Sequence, residues 1–211
     1  MRRTEKPPPT AIRAAPLQGR SRERYERILA ATHAEIGETG LDALNMYAIA
    51  RRARITPTSI YRYFESVEQI LVTTASLSFT ELEAKIGQLF ASAHSTDEWI
   101  EAFAASTRAA WRSFSTSPVG RGLFGASKFL PQLRAIDDAF NRRVFESMMR
   151  RLQELSPGAA TPSARRLLTL LIGLSTPTFD LAIRQPRNAR SAVVEEFIAI
   201  ATDRLRENLR A

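Results

Sequence analysis

Between Pro57 and Phe64 the chain reads PTSIYRYF, and the side chains that can face away from a core there are Thr58, Ser59, Tyr61, Arg62 and Tyr63. Short hydroxyls, phenols and a guanidinium bond phosphate oxygens and base edges, and no carboxylate interrupts them. This is chemistry for holding a polyanion. Chemistry for breaking bonds is not evident. There is no Cys, which removes thiolate nucleophiles, disulfides and thiolate metal sites together. His33 and His94 are the only histidines and lie far apart, so no metal site is expected. Asp137 and Asp138 are adjacent and would point to different parts of a helix surface. With no nucleophile and base, carboxylate pair or metal set, the expectation is a protein without catalytic residues or cofactors.

The stretch needs elements to hold it. In Met46 to Ala53 the apolar residues Met46, Ile49, Ala50 and Ala53 recur at spacings of three and four, one face of a helix that must be buried. Thr56 followed by Pro57 supplies a capping hydroxyl and a residue suited to the first helical position. A second helix should therefore begin after Ile55, with Ile60 and Phe64 packing back onto Ile49 and Ala53. Two helices joined by about three residues form a helix-turn-helix. Ser66 with Gln69 three residues later is a capping box that starts a further helix.

From Arg22 to Leu71 these residues resemble the DNA-binding domain of the TetR (tetracycline repressor) family of transcriptional regulators. The resemblance rests on Tyr25-x-x-Ile28-Leu29-x-Ala31, Gly40-Leu41-Asp42-Ala43, Ile49-Ala50-x-x-Ala53, Ile55-Thr56-Pro57 and Ile60-Tyr61-Arg62-Tyr63-Phe64, an ordered set more specific than any single short motif. It implies that Pro57, Thr58 and Arg62 lie near base edges, that Tyr47 approaches the groove from the preceding helix, and that Asn45, Thr56, Ser59, Tyr61 and Tyr63 hold phosphates. Two positions depart from the family. Arg54 stands where a turn glycine is usual, so either the turn differs or Arg54 gains a phosphate contact. Val67 replaces a frequent lysine after the capping serine.

The rest of the chain reads as support. Its 211 residues are 44% hydrophobic and 25% charged, ordinary for a globular protein, and no apolar run reaches the ~20 residues that span a bilayer. A cytoplasmic protein without membrane contact is expected, since the N-terminus lacks a signal-like apolar core. The net charge of +8 and pI near 10.7 favour a polyanionic partner. Lys and Arg outnumber Asp and Glu by twelve to eight in residues 1–72 and by eighteen to fourteen in the remainder, so the excess is denser in the first third.

In order, residues 1–20 are Pro-rich and basic and read as a disordered arm, either lying along DNA or serving as a plain tail. Residues 21–71 form the DNA-binding domain, whose first helix runs from Arg22 to Gly37–Gly40. Residues 72–211 form a helical body for effector binding and dimerisation. Its expected helices run from Val67 to about Ser92 with Leu77 in the apolar stripe, from a Thr96 cap to Ser117, and from Pro131 to about Leu155 with Arg142, Arg143, Arg150 and Arg151 on the solvated face. The last two start at Thr161-Pro162, broken or kinked at Pro177, and at about Ala189, ending at Leu209. Gly120-Arg121-Gly122-Leu123-Phe124-Gly125 matches a dinucleotide fingerprint formally, but no strand precedes it and the match is rejected.

The expected fold is all-α, a three-helix head on a larger helical body, with no strand. Residues 164–175 are apolar on more than one side, as a helix buried on two faces is. The family resemblance implies a homodimer through the last two long helices, here Leu167, Leu171, Leu174, Val194, Phe197, Ala201 and Leu205. Two heads fit a palindromic operator in double-stranded DNA. The aromatic cluster Trp99, Phe103, Trp111, Phe114, Phe124, Phe129, Phe140, Met148 and Phe179 is the expected site of a small apolar or aromatic effector, with Arg108, Arg112 or Asp180 available to a charged end. The alternative is a helix-turn-helix protein with a filled body and no effector, acting as a structural or cell-division factor.

Overall fold

The structure, a computed structural model, describes residues 19–117, 120–121 and 130–210. Among them the chain is all-α. The helices are α1 (Gly19–Thr39), α2 (Met46–Ala53), α3 (Pro57–Ile60), α4 (Val67–Ala91), α5 (Thr96–Thr116), α6 (Pro131–Leu155), α7 (Pro162–Ile183) and α8 (Arg190–Arg210), with a 3-10 turn at Pro157–Ala159. Residues 1–18 of the expected arm lie outside the described residues, and Gly19 and Arg20 already belong to α1, three residues earlier than the expected start.

Helix boundaries follow local capping. Gly40 adopts φ 80° and its amide closes α1 on the Ile36 carbonyl at 3.0 Å, a left-handed position that glycine takes without steric cost. Ser66 Oγ accepts from the Gln69 amide at 3.2 Å, and the Gln69 side chain accepts from the Glu65 amide at 2.6 Å. The same reciprocal arrangement starts α5, but its cap is Ser95 rather than Thr96: Ser95 Oγ accepts from the Glu98 amide at 3.1 Å and Glu98 accepts from the His94 amide at 2.8 Å. Only Ser95 stands three residues before Glu98, the spacing that lets a hydroxyl and a carboxylate serve each other's amides.

The head has its own core of Tyr25, Ile28, Leu29, Met46, Ile49, Ala50, Ala53, Ile60, Phe64 and Ile70. Arg52 reaches from α2 to α1, its Nε donating to buried Glu35 at 2.6 Å and its Nη1 to Glu38 at 2.8 Å. The body core is built on α4, α5 and α6, with Ile36 from α1 and Leu71 and Val72 from α4 included. The boundary expected at residue 71 is therefore no linker: α4 passes through it, contributing Ile70 to the head and Leu71 onward to the body.

Several expectations about faces are corrected. Leu77 is 48% exposed, and Phe79 fills the inward place, stacked on Phe140 at 4.8 Å. Arg151 is not a solvated arginine, since its Nε and Nη2 donate to the Ala93 carbonyl at 3.1 and 2.6 Å and fasten α6 to the α4–α5 turn. Pro177 does not break α7. Its missing amide concerns the carbonyl of exposed Gly173, which water can serve, while buried Phe179 and Ala182 anchor the turns beyond it. By length and composition α7 is the one described helix able to cross a membrane. Its apolar residues divide instead between buried Ala164, Leu168, Leu171, Phe179 and Ala182 and an exposed stripe described below.

Candidate nucleic-acid interface and inner cavity

α2 and α3 meet across a turn whose geometry rests on Arg54. That residue sits at φ 54°, ψ 47°, its amide bonded to the Arg51 carbonyl at 3.2 Å while the Ile55 amide reaches Ala50 at 3.1 Å. This pair of bonds is the Schellman closure, which elsewhere favours glycine. The turn is thus kept in full without the glycine, at a cost of about 1–2 kcal/mol for a left-handed side chain. Arg54→Gly should raise stability by roughly 1 kcal/mol in chemical denaturation. If the guanidinium meets a phosphate, the same variant should bind DNA less tightly and with a shallower salt dependence.

α3 begins at Pro57 as expected, but it is a single turn, and Tyr61–Tyr63 continue as turns rather than helix. The Thr56 hydroxyl caps no amide; it pairs with Ser59 Oγ at 2.9 Å. Thr58, Tyr61 and Arg62 are exposed, with Pro57, Ser59 and Tyr63 half-buried. Tyr63 accepts a hydrogen bond from Ser21 Oγ at 3.2 Å, which ties the segment back to α1. Asn45 has a second duty besides any phosphate contact: it caps α2, accepting from the Ala48 amide at 2.9 Å and donating to the Ala43 carbonyl at 3.1 Å. Of the nine residues expected at DNA, Asn45, Tyr47 and Pro57 line a common notch, and the rest lie on the segment Thr56–Tyr63.

Sequence reasoning named Arg54 for a phosphate contact but missed Arg51. Tyr47, 74% exposed, is followed at i+4 and i+7 by Arg51 and Arg54, both exposed. Asn45, Tyr47, Ala48, Arg51, Ile55 and Pro57 line one open notch between α2 and α3. The spacing of Tyr47, Arg51 and Arg54 was itself the signal.

In the body the aromatic cluster divides. Phe103, Phe140, Met148 and Phe179 line a cavity of about 50 Å³ between α4, α5, α6 and α7, room for roughly three or four waters. Trp99 does not reach it; its ring meets Phe90 edge-on at 5.3 Å and its Nε1 donates to the Met148 carbonyl at 2.9 Å. Trp111 and Phe114 form a separate cluster with Phe179, rings 5.6–5.9 Å apart. Phe124 and Phe129 lie outside the described residues. Arg108 and Arg112 do not line the cavity; Arg108 pairs with Glu195 at 2.7 Å, and Asp180 is likewise absent from its walls. The lining that composition could not reveal is Leu82, Ile86, Ser106, Thr107, Ala110, Asn141, Val144, Ile172, Ser175 and Thr176. Asn141 and Ile172 also line an outer groove between α6 and α7, so they form the partition between cavity and surface.

Behind Asn141 sits Asp137. Its Oδ1 is buried without a hydrogen-bond partner among the described residues, and burial pushes the carboxyl from 3.8 up to about 6, helped by the Asp138 charge and opposed by a hydrogen bond from Asn141. A carboxyl held protonated by the fold contributes its stability fully below 3.8 and loses it as pH rises through about 6. Asp137→Asn should therefore stabilise the protein at neutral pH by roughly 1–2 kcal/mol, since a partly hydrated group feels only part of the difference. It should also flatten the melting temperature between about pH 4 and 6.

The residues expected at a dimer interface divide too. Leu171, Val194, Ala201 and Leu205 are buried within the protomer, packed into its two body clusters, which withdraws them from a second copy. Leu167 and Phe197 are half-buried and Leu174 is exposed. The exposed apolar set on these helices is Leu170, Leu174, Leu181 and Ile200.

The chain is similar to known proteins in sequence and in fold. A family model described as bacterial regulatory proteins, tetR family, matches residues 28–73, and one described as a tetracyclin repressor-like C-terminal domain matches residues 97–209. The transcriptional repressor KstR of Mycobacterium tuberculosis is 41% identical over 64 residues, 30% of this chain and 29% of the relative's own length. The transcriptional regulator BetI of Rhizobium meliloti is 25% identical over 206 residues, covering 93% of this chain and 94% of the relative. The crystal structure of the transcriptional regulator SCO7518 from Streptomyces coelicolor A3(2) superposes with a TM-score of 0.60 at 28% identity, covering 85% of this chain and 98% of the other.

Proposed function

The chain belongs to the TetR family of bacterial regulatory proteins, DNA-binding regulators of transcription rather than enzymes, and on that premise we propose that it is a dimeric repressor released from a palindromic operator by a small effector. The observation that carries this reading is the exposure of Tyr47, Arg51, Arg54, Thr58, Tyr61 and Arg62 along α2, α3 and the turns that follow them, on a head with its own core. The repressor name of the relative that matches part of the chain, KstR, agrees with it.

On this reading Pro57, Thr58 and Arg62 meet base edges, and Tyr47, Thr56, Ser59, Tyr61 and Tyr63 meet the groove wall and phosphates. Asn45 acts by capping α2 toward a phosphate. Two protomers pair through the stripe Leu170, Leu174 and Leu181 of α7, flanked by Leu167, Phe197 and Ile200, and so present two heads to successive major grooves.

Coupling runs along α4. Leu82 and Ile86 wall the cavity, and Ile70 lies in the head core of the same helix, about 18 Å from Leu82 at 1.5 Å per residue. A ligand larger than a few waters must displace those walls, and the displacement is carried to the head. The effector shifts the population only by its preference for the displaced form. The cavity favours this over a regulator with a filled body.

The test is to select genomic fragments with the purified protein and measure binding to them by anisotropy. Arg62→Ala should weaken specific binding by about 1–3 kcal/mol and spare nonspecific DNA. Equal losses on both would reduce Arg62 to a phosphate contact. No binding to any duplex at low salt would remove the proposal.

A further inference from the structure

Three of the cavity's hydroxyls are already spent as donors, while Thr176, also on its wall, makes no such bond among the described residues. Ser106 Oγ and Thr107 Oγ1 both donate to the Phe103 carbonyl, at 2.8 and 3.0 Å, and Ser175 Oγ donates to the Leu171 carbonyl at 3.0 Å. A hydroxyl has one hydrogen, so each presents only lone pairs to the space it lines. Asn141 gives a side-chain hydrogen bond to Asp137, which commits one amide hydrogen away from the cavity. The backbone amides around the cavity are those of helices and mostly bonded within them. Among the described residues no Asp, Glu, Lys, Arg or His lines the cavity, whose remaining walls are Leu82, Ile86, Phe103, Val144 and similar apolar groups.

Resting on the effector reading above, we propose that the effector is an uncharged, mainly apolar molecule that carries a hydroxyl donor, a phenol or an alcohol, received by Ser106, Thr107 and Ser175. A carboxylate would bring lone pairs against lone pairs and an unpaired charge into an apolar space, which is heavily penalised. An ether or ketone of the same shape offers Ser106, Thr107 and Ser175 nothing and can only accept, from Thr176 or the second Asn141 amide hydrogen. A donor satisfies those three hydroxyls while its ring or chain covers Phe103, Phe140 and Phe179. The preference therefore comes from the direction in which three hydrogens already point.

The experiment compares 4-methylphenol, 4-methylanisole and 4-methylbenzoate by calorimetry against the full-length dimer. The phenol should bind about tenfold more tightly than the ether, the value of one net hydrogen bond, and the benzoate should bind weakest. Thr107→Val and Ser175→Ala, which keep volume nearly constant, should each erode the preference for phenol over ether; circular dichroism confirms folding. Binding of the ether or the benzoate as tight as that of the phenol overturns the proposal, as does failure of all three to bind, or a preference that survives both substitutions. Operator affinity at saturating phenol separates the two claims. Selective binding that leaves operator affinity unchanged sustains the cavity chemistry and removes effector control.

Discussion

Glutamate at both Leu174 and Leu181 should turn the protein into a folded monomer that binds its operator about 10²- to 10⁴-fold more weakly. Both side chains are exposed in the single chain, 42% and 55%, so the substitutions cost the protomer little, within about 0.5 kcal/mol for surface changes. In a dimer the same carboxylates would be buried against apolar partners, which is prohibitive without a counter-charge. Losing the dimer converts the second half-site from a tethered encounter into a separate one, and that is the origin of the expected loss. Leu171→Glu is the instructive contrast. It lies one helical step away but is 5% exposed in the body core, so it should unfold the protomer rather than dissociate it. Sedimentation and anisotropy read both effects; a double variant that remains dimeric places the interface on another face.

Phe64→Ala should cost about 3–5 kcal/mol, the usual value for emptying a buried aromatic site, and should remove DNA binding with it. α3 is one turn long, far below the length at which a helix holds itself together. The position of Thr58, Tyr61 and Arg62 is therefore set by the residues that pin the segment from beneath. These are Ile60, fully buried, and Phe64, 2% exposed and stacked on Tyr25 at 5.2 Å. Tyr61→Ala, at a position 53% exposed, should leave denaturation unchanged and lower only DNA affinity. Urea titration followed by circular dichroism, paired with anisotropy on the same samples, distinguishes the two. Phe64→Ala with wild-type affinity would mean that α3 is held some other way.

The sequence by itself determined what short-range forces decide. Ser66 with Gln69, Thr161 with Pro162, Gly40 and the Met46–Ala53 spacing placed helix ends and the buried face of α2 within a residue or two. Each depends on a bond or contact three to five residues away, and those residues are visible in order. The ordered set from Tyr25 to Phe64 pointed to the family for the same reason, because one short segment carries nearly all of the match. Tertiary structure decided what each apolar residue meets. Leu171 and Leu174 are alike in type and three positions apart, yet one enters the core and the other faces out. Trp99 packs in the core while Phe103, one turn on, lines a cavity. Periodicity reports that a face is buried but carries no information about whether a core, a cavity or a second chain covers it, since apolar burial is non-directional. The cavity was hidden in the same way: Ser106, Thr107 and Ser175 bond carbonyls of their own helices, but only the closure of four helices brings these hydroxyls around one space.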